Sequence, residues 1–180
     1  PVWSIGSWFD PGCTNKILTW KSWGGKLLLG PWGHCCIYRD LSDFPNAHYD
    51  WVGEHLRFYD QLLKGEDTGS LKEPPITYYT MGDTPGKEWH RSADFPVEGT
   101  TFPKLYLSPE NTLEEIPTEK GSLSYTVRED IQLYEKMGRM NRHITRDMTP
   151  EDDKSLAFTS APLPKDLEIT GVPILDLWVT

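Results

Sequence analysis

The chain has 180 residues and a formal net charge of −9, and 37% of its residues are hydrophobic. This apolar fraction is enough for a packed core, which excludes an intrinsically disordered chain. The acidic balance argues against a nucleic-acid-binding surface, because binding to phosphates requires clustered Lys and Arg. No apolar run approaches the roughly 20 residues of a membrane-spanning helix, so the sequence predicts no membrane partner.

The two ends of the chain have the character of core strands. The chain begins with Pro1 rather than Met, and its first residues are already apolar. Its last residues, VPILDLWVT, carry no polar tail. We therefore expect a piece of a longer protein, and the sequence predicts no cellular compartment.

The first part of the chain alternates strands and helices. Val2 to Phe9 is predicted to be a short buried strand, and Thr14 or Asn15 is predicted to cap a helix that runs to about Ser22. Gly24-Gly25 ends this helix, and Lys26 to Leu29 forms a second strand that ends at Gly30-Pro31.

A second helix is predicted after a loop rich in Asp, Ser and Pro. Val52, Leu56, Tyr59 and Leu63 follow one another at spacings of four, three and four, which is typical of an amphipathic helix, and Gly65 is suited to end it. Strand, helix, strand, loop and helix is the order of an α/β fold.

The pattern changes at residue 73, where we place a domain boundary. Pro74-Pro75 indicates a linker, and short β-type runs separated by turn signals follow it, which favours a β-sandwich or jelly roll. The predicted strands are Ile76 to Met81, Lys104 to Leu107, Ser122 to Val127, Leu156 to Thr159, Leu167 to Ile169 and Ile174 to Val179. Helical spacing predicts one short helix among them, through Ile131, Tyr134, Met137, Met140 and Ile144.

The three cysteines, Cys13, Cys35 and Cys36, are an odd number, which is a poor basis for a disulfide framework. We expect free thiols that are buried or partly buried. The alternative is a zinc site made by the three cysteines with His34, but the C-x₂₋₄-C spacing that is usual for zinc is absent.

Two titratable side chains follow the two strands predicted in the first part. The stretch VWSIGSWFD ends on Asp10, and KLLLGPWGH ends on His34. Functional groups gather beyond the carboxyl ends of parallel strands, so we expect these two side chains to meet. An Asp that accepts a hydrogen bond from Nδ1–H of a His fixes the tautomer and leaves Nε2 to take a proton from a nucleophile. Asp followed by His is also the second half of the chain order of α/β-hydrolase triads.

Simpler interpretations exist for each of these residues. An Asp after a strand is commonly a turn former or helix cap, and a His beside Trp32 is commonly a partly buried ring. The nucleophile motif G-x-S-x-G is absent, and Ser7 lacks the strand-to-helix turn of a nucleophile. Trp32 is a candidate for substrate contact, although core packing is the favoured interpretation. Surface or structural roles are expected for the remaining histidines, His48, His55, His90 and His143.

Several stretches give the chain a family resemblance. They are SIGSWFD, KLLLGPWGH, LRFYDQLLKGEDTG, EPPITYYTMG, ADFP, KLYLSP and LAFTSAPLPKDLEITG. In this order, and over nearly the whole chain, they resemble the later part of the CocE/NonD serine hydrolases. This family includes cocaine-esterase-like enzymes and is related to the X-Pro dipeptidyl-peptidases.

The resemblance implies a fold and two site residues. The fold is the C-terminal part of an α/β-hydrolase domain (residues 1–72), followed by a truncated jelly-roll domain (residues 73–180). Asp10 matches the Asp of the family's catalytic triad and His34 matches its His, whereas the family's Ser and oxyanion-hole donors lie upstream of the matching region. Related α-amino-acid ester hydrolases have acidic residues just after the triad Asp to bind a substrate ammonium group, but Pro11-Gly12-Cys13 offers none.

We therefore expect a fragment of a serine hydrolase that cleaves ester or amide bonds and that is inactive by itself. Its expected partner is a small-molecule ester or peptide substrate, with no cofactor and no metal, and a homo-oligomer is left open. The alternative is a jelly-roll binding module without catalysis. The hydrolase interpretation requires the Asp10 carboxylate within about 3.2 Å of a ring nitrogen of His34, whereas the module interpretation gives these groups no reason to meet.

Overall fold

The structure is a computed structural model that describes residues 1–34, 44–128 and 149–179. These residues divide into two compact units. The first contains the described residues up to Thr100 together with 170–179, and the second contains 101–128 and 149–169. None of the helices in the described ranges has the length and hydropathy needed to cross a bilayer.

The first unit is built on a four-stranded mixed sheet. Its strands are β1 (Val2–Ser7), β2 (Gly25–Gly30), β3 (Ile76–Tyr79) and β4 (Trp89–Ser92). They lie side by side in the order β1-β2-β3-β4. The first three strands are parallel, and β4 pairs antiparallel with β3. The mixed sheet with helices confirms the coarse prediction of strands and helices for this part of the chain.

The core lies on both faces of β2, which explains why this strand is a continuous apolar run. On one face, Leu27 and Leu29 pack with Ile17, Ile76 and Phe95. On the other face, a second cluster surrounds Leu28 and contains Ile5, Trp32, Tyr49, Trp51 and Trp89. Strand β2 is thus the centre around which the first unit packs.

The first helix, α1 (Cys13–Trp23), begins two or three residues earlier than a cap at Thr14 or Asn15 predicts. The predicted cap at Thr14 or Asn15 is wrong, because the residue before the helix is Gly12 and no side chain caps it. Asp10 organises this turn instead, since its backbone carbonyl accepts a hydrogen bond from the Cys13 amide at 2.9 Å. The helix ends as predicted at Gly24, which has a positive φ of 67°.

The second helix, α2 (Trp51–Tyr59), is capped by the Asp50 side chain and continues as a π-helical turn, Asp60–Lys64, that ends at Gly65. A single 3-10 turn, Ser70–Lys72, precedes β3. The helix itself was predicted, but the buried face was not. The buried residue is Phe58, which packs edge-on against Trp3 of β1 with ring centroids 5.6 Å apart.

The predicted apolar face of α2 is exposed in this chain. Val52, Leu56 and Leu63 are all at least half exposed, and Leu63 reaches 80%. The spacing correctly groups these residues on one side of a helix, but it does not determine which side packs against the sheet. The contact of Phe58 with Trp3 determines the packed side here.

The second unit contains a small antiparallel pair of strands, β5 (Tyr106–Leu107) and β6 (Leu113–Glu114), with a single bridge between Thr112 and Thr159. A four-residue helix, α3 (Thr149–Asp152), lies next to the end of the second undescribed range. The prediction of a strand at 104–107 is confirmed in part, whereas at 156–159 only the bridge residue pairs.

Three of the predicted strands are wrong. The residues at 122–127, 167–169 and 174–179 form no strand in this structure. Their apolar side chains are exposed, and Trp178 is exposed completely. An apolar run becomes a strand only where a neighbouring strand satisfies its backbone groups, and the described residues supply no such neighbour here.

Three further predictions concern the helix among the later strands, the jelly roll and the domain boundary. The predicted helix through Ile131, Tyr134, Met137, Met140 and Ile144 lies outside the described residues. The jelly roll stays a prediction, because the described part of the second unit contains only the β5–β6 pair. The domain boundary near residue 73 also stays a prediction, and β3 and β4, which follow it, belong to the sheet of the first unit.

Candidate active site

The site forms where the backbone continues beyond the parallel strands β1 and β2. The Trp8 amide donates to the Gly30 carbonyl at 2.9 Å, and the Phe9 amide donates to the Trp32 carbonyl at 3.2 Å. These two hydrogen bonds extend the β1–β2 pairing past the ends of both strands. They bring the segment that ends at Asp10 alongside the segment that ends at His34.

Asp10 and His34 are in direct contact at this edge of the sheet. The Nδ1 atom of His34 lies 2.8 Å from Oδ2 of Asp10, so the predicted contact is present. The other carboxylate oxygen, Oδ1, accepts a hydrogen bond from the Gly12 amide at 2.7 Å. Each oxygen of Asp10 therefore has its own partner, and this fixes the plane of the carboxylate. The catalytic roles of the two residues stay predictions.

The exposure of the pair suits proton exchange with a bound molecule. The His34 side chain is 68% exposed, whereas that of Asp10 is only 21% exposed. A carboxylate beside Nδ1 favours the tautomer that carries its proton on Nδ1, which leaves Nε2 as the basic nitrogen of the ring. The arrangement can therefore accept a proton at Nε2 and stabilise the imidazolium that forms.

Cys13 lies next to the pair but lacks the properties of a nucleophile. It is a free, half-buried thiol, as predicted. Its pKa is raised to about 11, chiefly because burial disfavours the thiolate and also because of the negative charge of Asp10. The thiol is thus protonated at neutral pH, and a protonated thiol is unreactive.

Two of the cysteines of the zinc alternative, Cys35 and Cys36, lie outside the described residues. Among the residues that the structure does describe, no three His, Cys, Asp or Glu side chains come together as metal ligands.

Trp32 is buried with 1% exposure, which favours core packing over substrate contact. Its indole Nε1 donates to the Ala47 carbonyl at 3.2 Å, and its ring packs against Trp89 with centroids 5.7 Å apart. The side chain thus supports the site from within the core. Its nomination as a substrate-binding residue finds no support in this position.

A segment that the sequence did not single out, residues 44–47, lies beside the Asp10–His34 pair. The ring of Phe44 stacks on the ring of Phe9 with centroids 5.8 Å apart, immediately before Asp10. Two of the side chains that anchor this segment, Tyr79 and Trp89, lie more than 30 positions later in the chain. No local pattern in the sequence could therefore have identified it.

A second Asp–His contact occurs in the β3–β4 hairpin. Nε2 of His90 lies 2.8 Å from Oδ2 of Asp83, and both side chains are about one-third exposed. His90 also stacks on Tyr78 within the hairpin. Its structural role was predicted but its partner was not. The Gly82-Asp83 turn, followed by β4, was the signal that could have revealed the pairing.

The remaining histidines have no established part in the site. His55 of α2 stacks on Trp3 with centroids 4.4 Å apart, and its Nδ1 lies 2.8 Å from the Trp51 carbonyl oxygen. These contacts agree with the predicted structural role. His143 lies outside the described residues.

The sequence of this chain is similar to a known domain family and to two curated proteins. A model of the family described as "X-Pro dipeptidyl-peptidase C-terminal non-catalytic domain" matches residues 69–180. Two relatives, from Mycobacterium bovis and Mycobacterium tuberculosis and both named "Putative serine esterase", are 33% identical over 193 residues. The alignments cover 99% of this chain and 30% of each relative, so the chain spans about 30% of the length of these curated relatives.

A solved structure supports the fold. The crystal structure of a CocE/NonD family hydrolase from Staphylococcus aureus superimposes with a TM-score of 0.52 at 19% identity. The superposition covers 64% of this chain and 21% of that chain. At this level of identity the likeness concerns the fold alone. Through the match at residues 69–180, which is more than half of its length, the chain belongs to the family described as the X-Pro dipeptidyl-peptidase C-terminal non-catalytic domain.

Proposed function

We propose that this chain is the C-terminal portion of a serine hydrolase that cleaves ester or amide bonds, and that Asp10 and His34 are two members of its Ser-His-Asp triad. The observation that carries the proposal is the 2.8 Å contact between His34 Nδ1 and Asp10 Oδ2 beyond the carboxyl ends of two parallel strands. A jelly-roll binding module without catalysis gives these two side chains no reason to meet. The named relatives support the same reaction class.

Each residue has a defined task in the proposed reaction. A Ser contributed by the rest of the hydrolase attacks the substrate carbonyl while Nε2 of His34 takes its proton. His34 then donates this proton to the leaving alcohol or amine. In the second half of the cycle His34 activates the water that hydrolyses the acyl-enzyme. Asp10 keeps the proton of the neutral ring on Nδ1 and stabilises the imidazolium.

The proposal divides the chain between two domains. Residues 1–72 belong to the α/β-hydrolase domain that carries the triad, and residues 73–180 belong to a jelly-roll domain. The start of the family match at residue 69 supports this division. The turn Pro11-Gly12-Cys13 after Asp10 offers no carboxylate, so we propose substrates whose acyl group needs no ammonium-binding acid at this position.

The test is ester hydrolysis by a full-length hydrolase that carries this chain, with p-nitrophenyl acetate as the probe. We expect His34→Gln to lower kcat/KM by about 10³-fold or more, because general acid–base catalysis is lost. The matched control is His90→Gln, which removes a second His–Asp contact, also 2.8 Å long, without touching the site. Equal activity of the His34→Gln variant and its parent would contradict the proposal.

Asp10→Asn is expected to lower kcat about as strongly for a different reason. The Gly12 amide donates to Oδ1, so the Asn amide group must direct its oxygen towards Gly12 and its NH₂ towards His34. An NH₂ group facing Nδ1 requires a lone pair there, which moves the ring proton to Nε2. Substrate binding does not depend on this proton, so KM should stay within about twofold of the parent value.

The 180-residue chain by itself is proposed to be inactive, because its sequence contains no G-x-S-x-G motif to supply the nucleophile. Purified chain should hydrolyse the probe ester no faster than its His34→Gln variant. Turnover that is abolished by a serine-directed fluorophosphonate would contradict this part of the proposal.

A further inference from the structure

The segment of residues 44–47, of which Ala47 is buried, is held by side chains that converge on its backbone. The Tyr79 hydroxyl donates to the Pro45 carbonyl, and Nε1 of Trp89 donates to the Asn46 carbonyl at 2.8 Å. Nε1 of Trp32 donates to the next carbonyl, that of Ala47. Three consecutive carbonyls thus each accept a hydrogen bond from an aromatic side chain.

An additional contact holds this segment at its centre. Nδ2 of Asn46 donates to Oε1 of Glu88 at 3.0 Å. Glu88 is buried, and its other oxygen accepts from the Gly86 amide at 2.9 Å. Asn46 has a positive φ of 53°, a conformation that this contact and the hydrogen bonds to its neighbours maintain.

Two of the aromatic anchors belong to the β3–β4 hairpin. Tyr79 is the last residue of β3 and Trp89 is the first residue of β4, and they are paired in the antiparallel register. Their rings pack edge-to-face with centroids 5.2 Å apart. This hairpin lies inside the region that matches the family model of a non-catalytic domain.

The hairpin contacts the Asp10 segment by two routes. Through the anchored segment, Phe44 stacks on Phe9, which directly precedes Asp10. Independently, the indole Nε1 of Trp8 donates to the backbone carbonyl of Tyr79 at 2.8 Å. Both residues that precede Asp10 are therefore held from the side of the hairpin, in addition to their backbone hydrogen bonds to Gly30 and Trp32.

We propose that Tyr79 and Trp89, although they lie in the region matched by a non-catalytic domain, are positioning residues for the Asp10–His34 pair. They hold residues 44–47, and Phe44 in turn packs on Phe9. Phe9 directly precedes Asp10, so this contact holds the backbone next to the Asp10 carboxylate. This inference rests on the proposed function, since it assigns the two residues a role in the same reaction. Catalytic groups lose rate steeply when they are displaced by about 1 Å, so the role has a kinetic consequence.

The first test uses amide hydrogen exchange in the 180-residue chain to measure how firmly the backbone around Asp10 is held. In Tyr79→Phe and in Trp89→Phe we expect the Phe9 and Gly12 amides to exchange about tenfold faster, because their acceptors, the Trp32 carbonyl and the Asp10 carboxylate, are held less firmly. Tyr79→Phe removes one oxygen atom and keeps the packed ring, so the variant should fold.

The matched control is Trp20→Phe, which deletes another indole hydrogen bond to a backbone carbonyl, from Nε1 of Trp20 to the Gly25 oxygen at 3.1 Å. This bond does not involve residues 44–47. The control should lose comparable stability in urea yet leave the exchange of the Phe9 and Gly12 amides unchanged. Unchanged exchange in both hairpin variants, or the same acceleration in the control, would overturn the proposal.

The second test measures kinetics in the full-length hydrolase that carries this chain. We expect Tyr79→Phe and Trp89→Phe to lower kcat about tenfold while KM stays within twofold, since the displaced group acts in the transition state. A purely structural role would lower the amount of folded enzyme without changing kcat per folded molecule. Parental kcat in both variants would therefore refute the positioning role.

The outcomes separate this inference from the function on which it rests. If the parent enzyme shows no serine-dependent hydrolysis, the proposed function fails, while the amide exchange experiment still decides whether the hairpin positions Asp10. If the parent is active and neither hairpin variant changes exchange or kcat, the inference fails and the proposed function stands.

Discussion

Cys13 shows how the environment of one side chain controls its reactivity beside the candidate site. Burial and the Asp10 charge raise the pKa of this thiol to about 11. At pH 8 only about one molecule in a thousand then carries the thiolate, compared with a sizeable fraction for an ordinary cysteine. We expect iodoacetamide to alkylate Cys13 slowly at pH 8 and about tenfold faster for each added pH unit up to about 11.

Peptide mapping by mass spectrometry separates Cys13 from Cys35 and Cys36 in this experiment. Asp10→Asn should accelerate alkylation only modestly, because burial is the larger cause of the raised pKa. A rate that levels off between pH 8 and pH 9 would show that the thiol has an ordinary pKa and would contradict this description of its surroundings.

The contact between Asp10 and His34 was predictable from single residues, because two strands that run in parallel deliver their following residues to one edge. The anchors of residues 44–47 were not predictable in this way. Tyr79 and Pro45 are 34 positions apart, and Trp89 and Asn46 are 43 apart, so these hydrogen bonds depend on the completed sheet.

Strand β2 depends on a glycine at its first position. Gly25 has a positive φ of 95°, and a Cβ atom there would overlap the backbone carbonyl of Val2, its partner on β1. Its neighbour Gly24 also has a positive φ, of 67°, but open space surrounds the position of a Cβ. Substituting each of the two adjacent glycines therefore measures the cost of the backbone conformation separately from the cost of a steric overlap.

We expect Gly25→Ala to lower the free energy of unfolding by about 3 kcal/mol or more, since strain at positive φ is added to a backbone clash. Gly24→Ala should cost about 1–3 kcal/mol and less than Gly25→Ala, because its φ of 67° and ψ of −164° are strained for any residue but glycine while no atom lies near a Cβ there. Urea denaturation of the two variants measures the difference. Equal losses would contradict the β1–β2 register described here.

The helices and strands show which features of an element its own sequence determines. Periodicity correctly located α2, but the docking of Phe58 against Trp3 decided which face is buried. Short β-type runs equally favoured strands at 122–127 and at 174–179, yet pairing depends on a partner strand elsewhere in the chain. The type of an element is thus partly determined by its own sequence. The side of a helix that packs and the strand with which a strand pairs are determined by other parts of the chain.

Across the first unit, Glu73 connects several parts of the fold by ion pairs. Its carboxylate contacts Arg57 of α2 at 2.8 Å, Arg91 of β4 at 3.1 Å and Lys26 of β2 at 3.3 Å. These cations, the Arg57 hydrogen bond above all, hold the pKa of Glu73 below its usual value. The carboxylate lies next to Pro74-Pro75, so the network joins residues on both sides of the proposed domain boundary.

The pH dependence of stability follows from the direction of this pKa shift. Because the pKa is lower in the folded chain than in the unfolded chain, Glu73 contributes its full stabilisation above about pH 4.5 and loses it as the pH falls through the folded value. We expect the free energy of unfolding to fall as the pH is lowered below about 4.5. Glu73→Gln should lower stability at pH 7 and flatten this part of the profile.

The control for this measurement is Glu66→Gln, which changes an exposed carboxylate outside the network. Its profile should retain the slope of the parent. If Glu73→Gln also retained that slope, the three cations around Glu73 would not be acting on its ionisation in the folded chain.

The pairing of Asp10 with His34 can be read from the tautomer of His34 in the 180-residue chain, by long-range ¹H–¹⁵N correlation spectra of the neutral ring. We expect the proton on Nδ1 in the parent chain, directed at Asp10, and a shift of the proton to Nε2 in Asp10→Asn. A proton on Nε2 of His34 in the parent chain, or a tautomer that does not change in Asp10→Asn, would refute the proposed role of Asp10.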